Sequence, residues 1–102
     1  TTKAIALYRR LLEKQPKHGD AWNNLGNLLA ANGELVEAQA AYEAGLKANP
    51  KDADLSYNLG LVHERLGRRD EAVTAYRAAL KQDGKHADAW NNLGVLLEKR
   101  RK

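Results

Sequence analysis

A chain of 102 residues, 43% hydrophobic and 29% charged, has the composition of a folded protein and not of an intrinsically disordered one. It holds no cysteine, which excludes a disulfide framework, a thiolate zinc site and a cysteine nucleophile. The net charge of +4 owes much to Lys99, Arg100, Arg101 and Lys102; a basic last turn is also what a helix macrodipole favours, so a basic nucleic-acid binder stays open only as the least favoured function class.

The first helical stretch spans Thr2–Gln15 and is stopped by Pro16, which cannot continue a helix. Asp20–Asn32 follows, with Trp22, Leu25, Gly26, Leu28 and Leu29 on one broad arc of the helical wheel. Gly33 comes just past it, where a left-handed closing residue is usual. Glu34–Ala48 is rich in helix-favouring alanine (Ala38, Ala40, Ala41, Ala44) and precedes Pro50. The pattern then runs again through Asp54–Leu66, Gly67 and Arg69–Gln82, and opens once more over Asp88–Arg100. No stretch alternates as a strand does, so the fold class is all-α, with six helices. Apolar runs fall far short of the roughly 20 residues that span a bilayer, and no signal peptide is visible, so no membrane partner is expected. The lack of cysteine fits a reducing compartment and hence a cytoplasmic location. The chain begins at Thr1 without methionine, as expected of a fragment or a trimmed, consensus-like chain.

An offset of 34 residues aligns Asp20, Asp54 and Asp88; Asn24, Asn58 and Asn92; Leu25, Leu59 and Leu93; Gly26, Gly60 and Gly94. It also aligns Ala4, Ala38 and Ala72; Tyr8, Tyr42 and Tyr76; Leu12, Leu46 and Leu80. Three such periods fill the chain, and Asp20–Leu29 nearly repeats as Asp88–Leu97. A fixed period of this length is the mark of a stacked repeat architecture.

The 34-residue unit of two helices, with Trp22, Leu25, Gly26, Ala38, Tyr42 and Pro50, resembles the tetratricopeptide repeat over the whole chain. The resemblance implies an α-solenoid of antiparallel helix pairs, wound into a right-handed superhelix whose inner surface is lined by the first helix of each pair. The chain would start with a second helix (residues 1–18), continue with two full repeats (19–52 and 53–86) and end with a first helix (87–102). Four departures stand out: Ser56 at a tryptophan place, Gly45 at an alanine place, Gly84 at a proline place and His63 at an apolar place. They predict a looser middle unit.

The repeat accounts for Gly26, which lies in the apolar arc and allows a close helix approach. It does not account for the asparagines. Asp20, Asn23, Asn24 and Asn27 occupy the opposite face, as do Asp54, Tyr57, Asn58 and Leu61, and then Asp88, Asn91, Asn92 and Val95. Asparagine disfavours a helix interior by roughly 0.6 kcal/mol relative to alanine, so a bland surface would use other residues. A carboxamide can pair with both the N–H and the C=O of an extended peptide. Packed helices stand about 8–10 Å apart and an extended chain advances about 3.3 Å per residue, so one rung would meet about every third ligand residue. The expected groove is formed by Asp20–Asn32, Asp54–Leu66 and Asp88–Arg100. Its peptide-binding residues would be Asn24, Asn58 and Asn92, with Asn23, Asn27, Asn91, Tyr57, Asp20, Asp54 and Asp88. The string is most similar to the superhelical repeats of O-linked N-acetylglucosamine transferase, where a lumenal asparagine ladder holds the substrate backbone. The alternative is that the asparagines bond to a neighbouring repeat. For Asp20, Asp54 and Asp88 the favoured role is to cap the first helices.

Chaperone-binding members of the family clamp a terminal carboxylate with two lysines, two asparagines and an arginine. Asn27 and Asn58 fit that pattern, but Asn23 and Asp88 hold the lysine places and Asn92 the arginine place, so the clamp is rejected. His18 and His86 sit in equivalent connections and His63 on a helix, far apart in sequence, so no metal site, cofactor or enzyme activity is expected. A second function stays open. Ala4 and Tyr8 belong to positions that pack on a preceding helix, and Trp90, Leu93 and Leu97 to an arc that packs on a following one. Exposed apolar surface of this kind predicts head-to-tail self-association.

Overall fold

The computed structural model describes residues 2–101, with the side chains of Arg100 and Arg101 left out; of the basic run Lys99–Lys102, only the Lys99 side chain lies within the described residues. Six helices follow in order: α1 (Thr2–Lys14), α2 (Gly19–Ala31), α3 (Leu35–Ala48), α4 (Ala53–Arg65), α5 (Arg69–Gln82) and α6 (Ala87–Arg101). They form two compact units, Thr1–Pro50 and Lys51–Lys102. The first unit holds α1, α2 and α3, and the second α4, α5 and α6.

In each unit the most extensive contact joins a first helix to the second helix that follows it, α2 to α3 and α4 to α5. Three-residue turns connect these pairs, which makes them antiparallel neighbours. Both turns close through a left-handed glycine, Gly33 at φ 83° and Gly67 at φ 77°. Around Gly33, its own N–H bonds to the Ala30 carbonyl and the Glu34 N–H reaches back to Leu29; Gly67 to Glu64 and Arg68 to His63 repeat the arrangement. These are the paired bonds of a Schellman motif, which satisfy the last carbonyls of the helix.

Helix starts differ from the sequence expectation. The expected N-caps Asp20, Asp54 and Asp88 lie inside the first turn. Capping falls two residues earlier, on another position of the same repeat. The N–H groups of Ala21, Leu55 and Ala89 donate to His18 Nδ1, Asp52 Oδ1 and His86 Nδ1, each at 3.2 Å. The aspartates then act on the helix dipole only as charges in the first turn.

The core of the first unit gathers Ile5, Leu12, Ala21, Leu25, Leu29, Ala38, Ala41 and Tyr42. Gly26 and Gly60 are required by contact and not by φ. A Cβ at Gly26 would fall on the Tyr42 ring, 2.7 Å from Cδ1 and 2.8 Å from Cζ. At Gly60 it would meet Tyr76 Cε1 at 2.5 Å and Cδ1 at 2.7 Å. Each ring lies where a side chain would otherwise stand.

In the second unit α5 packs on α6 as well as on α4. Ala72, Val73, Tyr76, Leu93 and Leu96 form one buried cluster, with Tyr57, Leu61, Leu80 and Leu97 packed against it. Leu93 and Leu97 were expected at an exposed end; α5 covers them instead, and Leu93 is 6% exposed. Two of the departures from the repeat lie in the interior of this unit. Ser56, at the tryptophan place, is 2% exposed and donates its hydroxyl to Gln82 Oε1 at 2.9 Å. His63 is buried as well.

Gly26→Ala and Gly60→Ala are expected to destabilise the fold by about 1–3 kcal/mol through overpacking against tyrosine. Gly94→Ala, whose Cβ meets nothing within 4 Å, is expected to stabilise it by up to about 1 kcal/mol through helix propensity. Urea unfolding followed by circular dichroism compares the three.

Candidate functional site

The polar face of the first helices carries every residue expected to bind a ligand. On α2, Asp20, Asn24 and Asn27 are exposed and Asn23 is half-buried. Asn27 has a structural engagement, because its Oδ1 accepts the Tyr42 hydroxyl at 2.5 Å. Asn24 has no such tie to the tyrosine and keeps its carboxamide on the surface of the helix.

In the second unit α4 and α6 bring their polar residues together around one side chain, Tyr57. Its ring lies 4.9 Å from that of His86 and 5.9 Å from that of Tyr76, tilted to both. Its hydroxyl oxygen accepts from Asn92 Nδ2 at 3.2 Å. Asn58 and Asn92 are half-buried, while Asp54, Asp88 and Asn91 are exposed. Burial first, and then the Asp88 carboxylate, push the Tyr57 phenol above its ordinary value, against the lowering effect of the Asn92 bond. Tyr76 is raised further. Burial is the leading cause, followed by its hydroxyl donating to the Glu64 carboxylate.

His86 links this cluster to the start of α6. Its Nδ1 accepts the Ala89 N–H, so the ring proton sits on Nε2. Nε2 donates in turn to Asp54 Oδ1 at 3.0 Å. With the Asp54 side chain 75% exposed, this contact orients groups more than it stabilises them. The sequence named Tyr57 as a face residue but gave no sign of its partners, and the capping role of His18 and His86 went unread. The signal was available: positions 18, 52 and 86 hold His, Asp and His at the 34-residue period.

Chemically, the face offers amides, phenol and carboxylates. Asn92 uses one donor on Tyr57, and a carboxamide has a second donor and a carbonyl beyond it. Among the described residues no group of three or more His, Asp and Glu side chains could hold a metal ion. No described helix is long and apolar enough to cross a membrane.

A family model described as "Tetratricopeptide repeat" matches residues 1–53, 37–74 and 57–102. Among curated protein sequences none matches. Solved structures with the same fold include YrrB, described as a tetratricopeptide repeat protein with an unusual peptide-binding site, at 26% identity and a TM-score of 0.85 over 92% of this chain and 48% of that one. MamA superposes with a TM-score of 0.87 at 21% identity, over 94% of this chain and 56% of that one. The first such domain of Spaghetti (RPAP3), bound to the HSP90 peptide SRMEEVD, does so with a TM-score of 0.90 at 15% identity, over 96% and 78%. The chain thus spans about half the length of MamA and of YrrB.

The buried phenols predict an alkaline limit to stability. A phenol whose folded pKa lies above its unfolded value of about 10 contributes stability that is fully present below pH 10 and is lost as pH rises toward the folded pKa. Unfolding free energy is therefore expected to fall from about pH 10 upward, and Tyr76→Phe to flatten that slope; denaturant titrations between pH 8 and 12 measure it.

Proposed function

The chain belongs to the tetratricopeptide repeat family, and from that premise we propose that it is a non-catalytic interaction scaffold that holds an extended peptide by its main chain. The amides of Asn24, Asn58 and Asn92 make the pairing. The observation that carries this reading is their recurrence. One carboxamide stands on the polar face of every first helix, where lysine, glutamate or alanine would favour the helix more. In the second unit Asn92 bonds to Tyr57 of the neighbouring repeat, as the structural alternative has it, and a carboxamide so engaged has a second donor and its carbonyl for a ligand. Asn24 joins the set by its repeat position and its exposure. YrrB, which has a peptide-binding site of its own, adds support at the level of the family.

The remaining residues give the ligand its chemistry. Tyr57 supplies a flat apolar surface with a hydroxyl at its edge, and Asn23 and Asn91 extend the polar face. Asp20, Asp54 and Asp88 are exposed carboxylates that favour donor-bearing side chains and repel acidic ones. Asn27 serves the fold through Tyr42 and contributes to the ligand only at its edge.

A peptide array probed with the intact chain and with the triple variant Asn24→Ala, Asn58→Ala, Asn92→Ala tests the proposal. The expected result is a binding loss of about tenfold or more, with a melting temperature unchanged or raised because alanine is the better helix former. Unchanged binding, or a fall in melting temperature that parallels the loss, would assign these asparagines to structure.

A further inference from the structure

We propose that Asn32 is a self-modification site, whose carboxamide is lost to a cyclic imide when the turn between α2 and α3 opens and is protected while that turn stays closed. Asn32 precedes Gly33, and this is the one Asn-Gly pair in the chain; the other asparagines precede Asn, Leu or Pro. The reaction needs no partner but water. The Gly33 nitrogen gives its proton to hydroxide and attacks Asn32 Cγ. The Cγ–Nδ2 bond breaks, and Nδ2 leaves as ammonia with a proton returned by water. Water then opens the imide at either carbonyl, which leaves aspartate or, when the main-chain carbonyl is attacked, isoaspartate. Glycine places no side chain beside the attacking nitrogen, leucine and asparagine do, and proline has no N–H to lose.

The folded turn holds each reacting group off that path. Asn32 caps the end of α2 with φ −86° and ψ 2°. At that ψ the Gly33 nitrogen eclipses the Asn32 nitrogen, so Cβ and its carboxamide are turned away from the nucleophile, whereas the imide requires Cβ to eclipse it. The Gly33 N–H is donated to the Ala30 carbonyl at 3.1 Å, within the Schellman closure, and this bond retains the proton that must leave. Asn32 Nδ2 donates to Glu34 Oε2 at 3.0 Å, which ties down the leaving group as well. Asn32 is exposed, so access of water does not limit the reaction. Opening the turn frees all three groups together, because the left-handed Gly33 and the bonds of Gly33 and Glu34 to α2 belong to one closure.

The products do not fit the turn they come from. Isoaspartate puts Cβ into the main chain and lengthens it ahead of Gly33, which displaces the N–H groups of Gly33 and Glu34 from the Ala30 and Leu29 carbonyls they bond. Aspartate keeps the chain length but sets a carboxylate beside Glu34 where an N–H donor stood, at a helix C-terminus whose dipole favours cations. The contact of α2 with α3 is the most extensive in the first unit, so a modified copy closes it less stably and opens more readily again. The second unit lacks the site: Leu66 stands at the repeat position of Asn32, ahead of the equally left-handed Gly67.

Peptide mapping by mass spectrometry after incubation at mildly alkaline pH tests this. In guanidinium chloride the amide-to-acid mass gain is expected in the peptide that holds Asn32 ahead of every other asparagine peptide. In buffer the same peptide is expected to convert at least about tenfold more slowly, because only the opened fraction reacts. Gly26→Ala, which weakens the α2–α3 contact, is expected to raise the rate in buffer and to leave the rate in guanidinium unchanged. After modification and refolding the chain is expected to melt about 4 °C or more below a freshly unfolded and refolded sample. Asn32→Leu, which carries the residue of the second unit, is expected to keep its melting temperature through the same treatment. Equal rates in buffer and in guanidinium, earlier conversion at another asparagine, or a Gly26→Ala rate in buffer no faster than that of the unaltered chain would overturn the proposal. So would a modified chain that melts as the fresh one does.

Discussion

The structure depends on a tyrosine ring lying flat where a glycine has no side chain. At Gly26 with Tyr42, and again at Gly60 with Tyr76, the missing Cβ sets how closely the two helices of a pair approach. Glycine is about 1 kcal/mol worse than alanine in a helix. Burying a tyrosine, which can remove 150–250 Å² of surface from water, more than offsets that difference (about 25 cal/mol per Å² of its apolar part). The Schellman turns at Gly33 and Gly67 bring the second helix back in the direction that this contact requires.

A buried tyrosine still needs a partner for its hydroxyl, and this need reaches the surface. In the first unit the acceptor is Asn27, and in the second it is Glu64. The repeat explains the exchange: Leu61 stands at the Asn27 position and Ala30 at the Glu64 position, so the acceptor has moved about one turn along the helix. The residue class at either site follows from the core beneath it. Asn27 is thereby tied to the tyrosine of its own repeat.

The repeat period, the all-α class, the closing glycines and the close approach at Gly26 were legible in the sequence, because each leaves a mark at a fixed spacing. The helix starts were not. Apolar periodicity locates a helix face but not its first residue, and an aspartate in the first turn looks like a cap when the histidine two residues earlier is the group that accepts the N–H. The Tyr57 cluster was hidden for another reason. It joins residues more than thirty positions apart, among them Tyr57 and Asn92, and tyrosine appears at that repeat position only once. The burial of Leu93 and Leu97 is not marked in the sequence either, because it arises from α5 packing against both α4 and α6 in the second unit. The buried Ser56 is satisfied by a hydrogen bond to Gln82 that no pattern of residue types announces.

The central claim is that Gly60 is glycine because of Tyr76, and a double-mutant cycle tests it directly. Urea unfolding of the unaltered chain, Gly60→Ala, Tyr76→Ala and the double variant separates intrinsic propensity from contact. The account predicts that alanine at position 60 destabilises the chain while Tyr76 is present and stabilises it, by up to about 1 kcal/mol, once the ring is gone. An equal effect of Gly60→Ala in both backgrounds would contradict it.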